Sequence, residues 1–346
     1  MNHEFKANGM TKIEIVAVVF MFAVLLVLLL PALATNRGPG CRRAACLNNL
    51  KQWALVFKMY ANESKGEMWP PLQANNPNTG EVDFAVGPYV AVLYPEYLTD
   101  PAIAICPQDP DTRINDLKDE NDDYNLHLHP GKIDSSYVYL GWAFDKMGPQ
   151  APLGQATGTA PISSFPNLGT LLLALKAEVP KGTVPVPYQI GAALDALGAA
   201  NTKNLATIAS DPNGAGLMAQ ALFDSDINGV NSLGSAWPAP RTEDMIYGNG
   251  DSNTVYRLRE GIERFMITDT NNPGASAKAQ SKLWIMMDKF TATSNSESPS
   301  FNHVPAGSNV LYLDGHVEMV KYESISTPSE PVSPSMASML SILTSL

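Results

Sequence analysis

Residues 15–34 carry no charged side chain. A helix of that length spans about 30 Å at 1.5 Å per residue, the hydrocarbon thickness of a bilayer. After Gly38-Pro39-Gly40, which reads as a hinge or a locally melted segment, the pattern changes to an amphipathic one. In the stretch from Cys41 to Gly66, Leu47, Leu50, Ala54, Phe57 and Ala61 follow +3 and +4 steps, with Trp53 and Tyr60 flanking. That is one helix face. Leu55 and Met59 form a second apolar pair off this stripe, either buried by the same domain or left for a partner.

From Glu67 onward, short apolar runs alternate with Pro, Gly, Asn and Asp clusters. Strands are predicted at Tyr137 to Trp142, Lys282 to Met287, Asn309 to Leu313 and His316 to Tyr322, and a short helix at Leu258 to Phe265. This spacing predicts a mostly antiparallel sheet with a few helices. Asp314-Gly315 between the last two strands is a strong hairpin signal. The Ala-, Gly-, Pro- and Thr-rich stretch 148–222 reads as a variable insertion with helical pieces around Ala192 to Ala209. Residues 295–300 and 327–335 are Ser- and Pro-rich, a loop and a linker, and 336–346 is a mildly amphipathic tail.

Composition narrows the function classes. The chain has 346 residues, 45% of them hydrophobic and 16% charged, with a formal net charge of −11. Nucleic-acid binding needs clustered Lys and Arg on the surface, so this balance excludes nucleic acid as a partner. Arg37, Arg42, Arg43 and Lys51 sit just beyond the apolar run and suit lipid headgroups. There are three cysteines, Cys41, Cys46 and Cys106. Cys46–Cys106 is the preferred disulfide, since it staples the amphipathic helix to the domain it carries; three reduced buried thiols are the alternative.

The N-terminal run has several readings. Pro31 to Thr35 (PALAT) passes as a signal-peptidase site, and length alone fits a plain signal anchor. Neither accounts for Glu14 at the apolar boundary, where a carboxylate needs a partner. Gly9-Met10-Thr11-Lys12-Ile13-Glu14 followed by an apolar helix resembles the class III leader of type IV pilins and type II secretion pseudopilins. The resemblance implies cleavage by prepilin peptidase between Gly9 and Met10, methylation of Met10, and Glu14 as the fifth mature residue. The Met10 amine of one subunit would then neutralise Glu14 of a neighbour, and Pro31 would bend the helix. Met10 in place of the usual Phe, and Lys12 at a commonly apolar position, depart from the family pattern. Lys6 and Lys12 before the span, against Arg37, Arg42, Arg43 and Lys51 after it, also oppose an outward-facing head.

The C-terminal half adds to the resemblance. His303 and, ten residues between, Asp314-Gly315 are similar to the His-x(9–10)-Asp-Gly motif that accompanies this leader in planctomycete-type bacteria. CPQD (Cys106 to Asp109), SYVYLGW (Ser136 to Trp142) and LREGIERFMITD (Leu258 to Asp269) look like further blocks of that group.

Candidate chemistry is sparse. Asp224, Asp226, Asn228 and Gly229 open a D-x-D-x-N-G calcium loop, but its twelfth position is Ser235, not Glu. Calcium is the one candidate cofactor, set against a solvated Asx turn. His127 and His129 would share a face only on a strand, and their acidic surroundings read as loop. His303, His316 and Asp314 come with no recognisable nucleophile signature, so no catalytic residues are assigned and the chain is not expected to be an enzyme.

The combined expectation is an α+β fold: a long N-terminal helix, transmembrane then amphipathic, packed on an antiparallel β-sheet head. The divisions are a leader (1–9), a transmembrane helix (10–35), a hinge and stem (36–66), a head (67–322) and a C-terminal tail (323–346). The function implied is a structural pilin-like or pseudopilin subunit assembled into a secretion pseudopilus or a type IV pilus-like filament. Its partners would be prepilin peptidase, other pilin-like subunits and a membrane assembly platform. It would cross the cytoplasmic membrane once, with its head outside the cytoplasm, and stand in a periplasmic or cell-surface filament once assembled. The rival is a signal-anchored extracytoplasmic domain that binds a ligand or glycan and never polymerises.

Overall fold

The computed structural model describes residues 12–34, 39–147, 159–176, 184–230, 248–250, 252–267, 279–291, 300–303, 307–322 and 331–344, with side chains omitted for 27–34 and 39–42. The leader with Gly9 and Met10, residue 35 of the expected span, residues 36–38 of the expected hinge, parts of the 148–222 insertion and residues 323–330 lie outside them. The chain divides into two compact units, residues 1–44 and 45–346.

In the first unit, helix α1 runs Lys12–Ala34 with Glu14 in its first turn. A carboxylate there faces the positive end of the helix dipole. The helix continues through Pro31. Among the described residues, no helix is long and apolar enough to cross a membrane. The expected single-pass transmembrane segment, and the inner-membrane location derived from it, are corrected accordingly. The expected single long helix is corrected too. Helix α2 is a separate element, Pro39–Glu63, with Pro39 and Gly40 in its first turn, where a missing backbone N–H costs nothing.

The second unit is a mixed α/β body. In chain order come β1 (Leu72–Asn75), β2 (Val82–Pro88), α3 (Val90–Leu93), β3 (Tyr137–Tyr139), β4 (Thr159–Pro161) and α4 (Pro166–Ala174). Then follow β5 (Pro185–Pro187), α5 (Tyr188–Ala200), α6 (Thr202–Ser210), α7 (Gly216–Leu222), β6 (Trp284–Asp288) and β7 (Phe290–Thr291). β8 (Ser300–Phe301), β9 (Gly307–Tyr312), β10 (Val317–Lys321) and a C-terminal helix, α8 (Pro334–Leu343), complete it. The expected single antiparallel sheet is therefore one of several. A four-stranded antiparallel sheet, ordered β10-β9-β6-β3, stands beside the two-stranded pairs β1–β2, β4–β5 and β7–β8. Helical segments take up much of the rest because residues 166–222 are rich in Ala and Leu, good helix formers, without the β-branched alternation a strand needs.

Helix α2 is fastened to the four-stranded sheet by an aromatic cluster. Cys46, Leu50, Trp53, Phe57 and Ala61 are fully buried. The Phe57 ring lies 4.9 Å from Tyr139 on β3 and 5.4 Å from Trp69, and Trp53 packs 5.5 Å from Phe57. The polar edges are satisfied: Trp53 Nε1 donates to the Ile103 carbonyl (3.2 Å), and Asn49 Nδ2 to that of Ile105 (3.0 Å). Leu55 and Met59 stay 63% and 47% exposed, so the body does not bury that second strip.

The β9–β10 hairpin closes through Leu313, Asp314 and Gly315. Gly315 N donates to Tyr312 O (2.9 Å) and Gly315 takes φ +88°. This is a turn followed by a left-handed residue, a conformation glycine adopts without strain.

Phe57→Ala is expected to lower stability by about 3–5 kcal/mol, the cost of emptying a fully packed aromatic site. Leu55→Ala, on the exposed strip of the same helix, should change it by no more than about 0.5 kcal/mol. Denaturant unfolding of both variants checks the pair; equal losses would mean the α2 faces are wrongly assigned.

Candidate functional site

Of the residues singled out in the sequence, Cys46, Cys106 and the rest of the CPQD block gather around one buried histidine, His303. His303 follows β8 and bridges to Gly307 at the start of β9. It has no solvent exposure. Its Nε2 lies 2.8 Å from Asp288 Oδ2, at the end of β6, and 2.9 Å from Asn309 Nδ2 on β9. Its Nδ1 meets Gln108 Oε1, in the CPQD block. Nε2 thus faces a carboxylate oxygen and an amide nitrogen, and Nδ1 faces an amide oxygen, so both ring nitrogens are engaged inside the body. Asn309 fixes the carboxylate, donating to Asp288 Oδ2 from its backbone N (2.8 Å) and its side chain (2.7 Å). Asp288 Oδ1 and Asn309 Oδ1 are buried and accept no hydrogen bond among the described residues.

Against this cluster lies the disulfide. Cys46, on α2, is bonded to Cys106 with a Cα–Cα separation of 5.3 Å. Cys106 Sγ stands 3.7 Å from His303 Nε2. The CPQD block thus gives both a half-cystine and the amide that orients the histidine, and Asp109 Oδ2 accepts from Ser136 Oγ (2.6 Å) in the SYVYLGW block. Burial pushes the Tyr137 phenol, next in that block, well above its ordinary range, and the Asp288 charge adds to the effect.

His303 and Asp314, one motif in the sequence, separate in the fold. Asp314 belongs to the hairpin tip, where it accepts from His316 N (3.0 Å) and pairs with the His316 ring, both partly exposed.

The D-x-D-x-N-G segment also finds partners within the protein. Asp224 pairs with Arg257, Asp226 pairs with Arg259 and accepts from Arg257 N (2.8 Å), and Asn228 Oδ1 accepts from Thr254 Oγ1 (2.9 Å). Gly229 takes φ +73°. Guanidinium groups supply the positive charge that calcium would bring. His127 and His129 are exposed and lie on no strand, so they do not share a face. Among the described residues, Cys46, Cys106 and His303 are the set whose metal-ligating atoms fall within 4.8 Å of one another.

A second polar feature is a cavity of about 330 Å³ lined by Asp83, Lys132, Asp134 and Lys289, among others. Asp134 Oδ2 accepts from Val86 N (3.1 Å), and Lys289 Nζ stands 4.0 Å from Oδ1. Burial holds both carboxyls above the ordinary range: at Asp83 the Gly131 N–H opposes it most, and at Asp134 the Lys289 charge. Both lie in a pocket of mixed charge with no further feature that selects a ligand.

Two expectations follow from these geometries. Asp288→Ala leaves the buried His303 ring and the Asn309 amide and backbone N–H without their shared acceptor and should cost about 3 kcal/mol of stability, whereas Asp314→Ala, at a partly exposed hairpin tip, should cost about 1 kcal/mol or less. Chemical unfolding distinguishes them. At Asp134 the folded carboxyl is raised, so its stabilising contribution is complete below the unfolded value near 3.9 and is lost as pH rises through the folded one. Asp134→Asn should therefore raise the melting temperature at pH 7 relative to wild type, with the gain shrinking toward pH 3. A gain independent of pH would contradict the assignment.

No family model, curated protein or solved structure matches the chain.

Proposed function

We propose that the chain is a structural subunit of pilin-like type, cut after Gly9 by prepilin peptidase and assembled with other such subunits into a filament. The observation that carries this reading is helix α1. Ile13, Val16, Phe20, Met21 and Phe22 are each between 64% and 82% exposed, and the apolar side chains continue exposed to Leu26. Apolar surface of this extent in water is costly, at roughly 25 cal/mol per Å², and calls for a cover. Copies of the same helix provide one, and Glu14 in its first turn gives each copy a charge with which to meet a neighbour's freed Met10 amine.

A structural role rather than a catalytic one is supported by the state of the polar residues. His303 and Asp288 are sealed from solvent, and Asp314 is engaged with His316 in the turn of the hairpin. The finer calcium reading gains no support from a loop whose carboxylates already face Arg257 and Arg259.

Intact mass after co-expression with a prepilin peptidase tests the proposal. Wild type should lose residues 1–9 and gain one methyl group, and Gly9→Ala should keep its leader. Glu14→Ala should be processed yet form few or no filaments by electron microscopy. A wild-type chain that retains its leader, or is cut near Ala34, would sink the proposal.

A further inference from the structure

We propose that Cys46, Cys106 and His303 bind a thiophilic divalent cation, zinc being the model case, when the protein is reduced, and that the disulfide and the metal site are alternative states of one locus. The inference is independent of the filament reading.

The donor set fits the chemistry. Two thiolates and an imidazole suit a tetrahedral d10 cation, whose bonds are about 2.3 Å to sulfur and about 2.0–2.1 Å to nitrogen. The two sulfurs and His303 Nε2 already fall within 4.8 Å of one another. Opening the disulfide requires the sulfurs to part to about 3.8 Å, the edge of such a tetrahedron, a shift within reach of side-chain rotation. Cys106 Sγ lies 3.7 Å from Nε2, about the spacing of two atoms that share a metal.

The surroundings fit as well. His303 Nδ1 is held by Gln108 Oε1, the outer contact that ligating histidines make with their second nitrogen. Asp288 Oδ2 lies 2.8 Å from Nε2 and is itself fixed by Asn309. Among the described residues its Oδ1 is buried without a hydrogen bond, which leaves an uncompensated carboxylate oxygen beside the histidine. The pocket is closed, with Cys46 and His303 at 0% exposure and Cys106 and Asp288 at 1%. Closed sites of this type hold structural metals.

The steps balance. A dithiol reductant gives two electrons and two protons to the disulfide, leaving two thiols here and a disulfide in the reductant. The cation then displaces both thiol protons, which pass to solvent, and takes the lone pair of the neutral imidazole at Nε2.

The full chain, reduced by a phosphine that becomes its oxide with oxygen from water, and then freed of reductant under nitrogen, would be titrated with cobalt(II) and zinc(II). The reduced protein should take up one zinc per chain. Cobalt should give a thiolate charge-transfer band and the visible spectrum of a tetrahedral ion; the oxidised protein should give neither. Cys41→Ser should bind as wild type does. Gln108→Ala should bind about 10–100-fold more weakly, as loss of an outer contact does. The Cys46→Ser/Cys106→Ser double variant should lose binding. Zinc should also raise the melting temperature of the reduced protein, a readout that holds even where reduction loosens the fold. Reduced wild type that takes up no zinc, or no more than the double variant, or that zinc fails to stabilise, overturns the proposal.

Discussion

The body depends on the seating of one helix. The buried face of α2 carries Phe57, with Trp53 packed on it, into contact with Trp69 and with Tyr139 of the four-stranded sheet. These rings bury more apolar area per residue than any aliphatic side chain could, and the Trp53 indole and the Asn49 amide of the same helix donate to the Ile103 and Ile105 carbonyls, in the segment that leads to Cys106. The disulfide adds a covalent stitch one end of the helix face away. By chain entropy alone a cross-link across 60 residues is worth about 4 kcal/mol. Helix, sheet and the loop before Cys106 therefore stand or fall together.

Around that seat the interior blocks meet one another. Leu258 N donates to Gly141 O, and Trp69 N to Leu258 O, both at 3.0 Å, so the block from Leu258 ties the end of β3 to the exit of α2. Arg257, almost fully buried, spans Asp224 and the Trp69 carbonyl. Gln220 on α7 takes the place of a neighbouring strand for β1, accepting from Ala74 N (3.0 Å) and donating to Leu72 O (2.7 Å). Buried polar groups paired in this way set register where short strands alone would not.

What was legible in the sequence was local. The +3/+4 stripe from Leu50 to Ala61 gave the buried face of α2, because helical periodicity is written in adjacent residues. The hairpin was legible from Asp314-Gly315, although its loop takes in Leu313 as well. The Cys46–Cys106 pair followed from the need to tie a helix to its domain. The histidine cluster was not legible, since Gln108, Asp288 and Asn309 come from distant segments and no spacing rule links them to His303. The arginines that meet Asp224 and Asp226 lie some thirty residues downstream, and a loop motif read by itself carries no trace of them. At the N-terminus the run without charge was plain, but a charge-free run alone did not establish a membrane-crossing helix. In the body, the Ala- and Leu-rich stretch 166–222 divided the architecture among several small sheets and helices, which strand spacing elsewhere could not indicate.

The stitch between Cys46 and Cys106 also decides how the body bears load. Tension applied between the N-terminal end of α2 and the C-terminus passes directly from one half-cystine to the other. Residues 47–105, including most of α2, β1 and β2, are then out of the line of force. Unravelled, that segment would add roughly 200 Å of contour length at about 3.5 Å per residue. While the bond is intact that length is unavailable to a pull, and the oxidised body is mechanically shorter than its sequence.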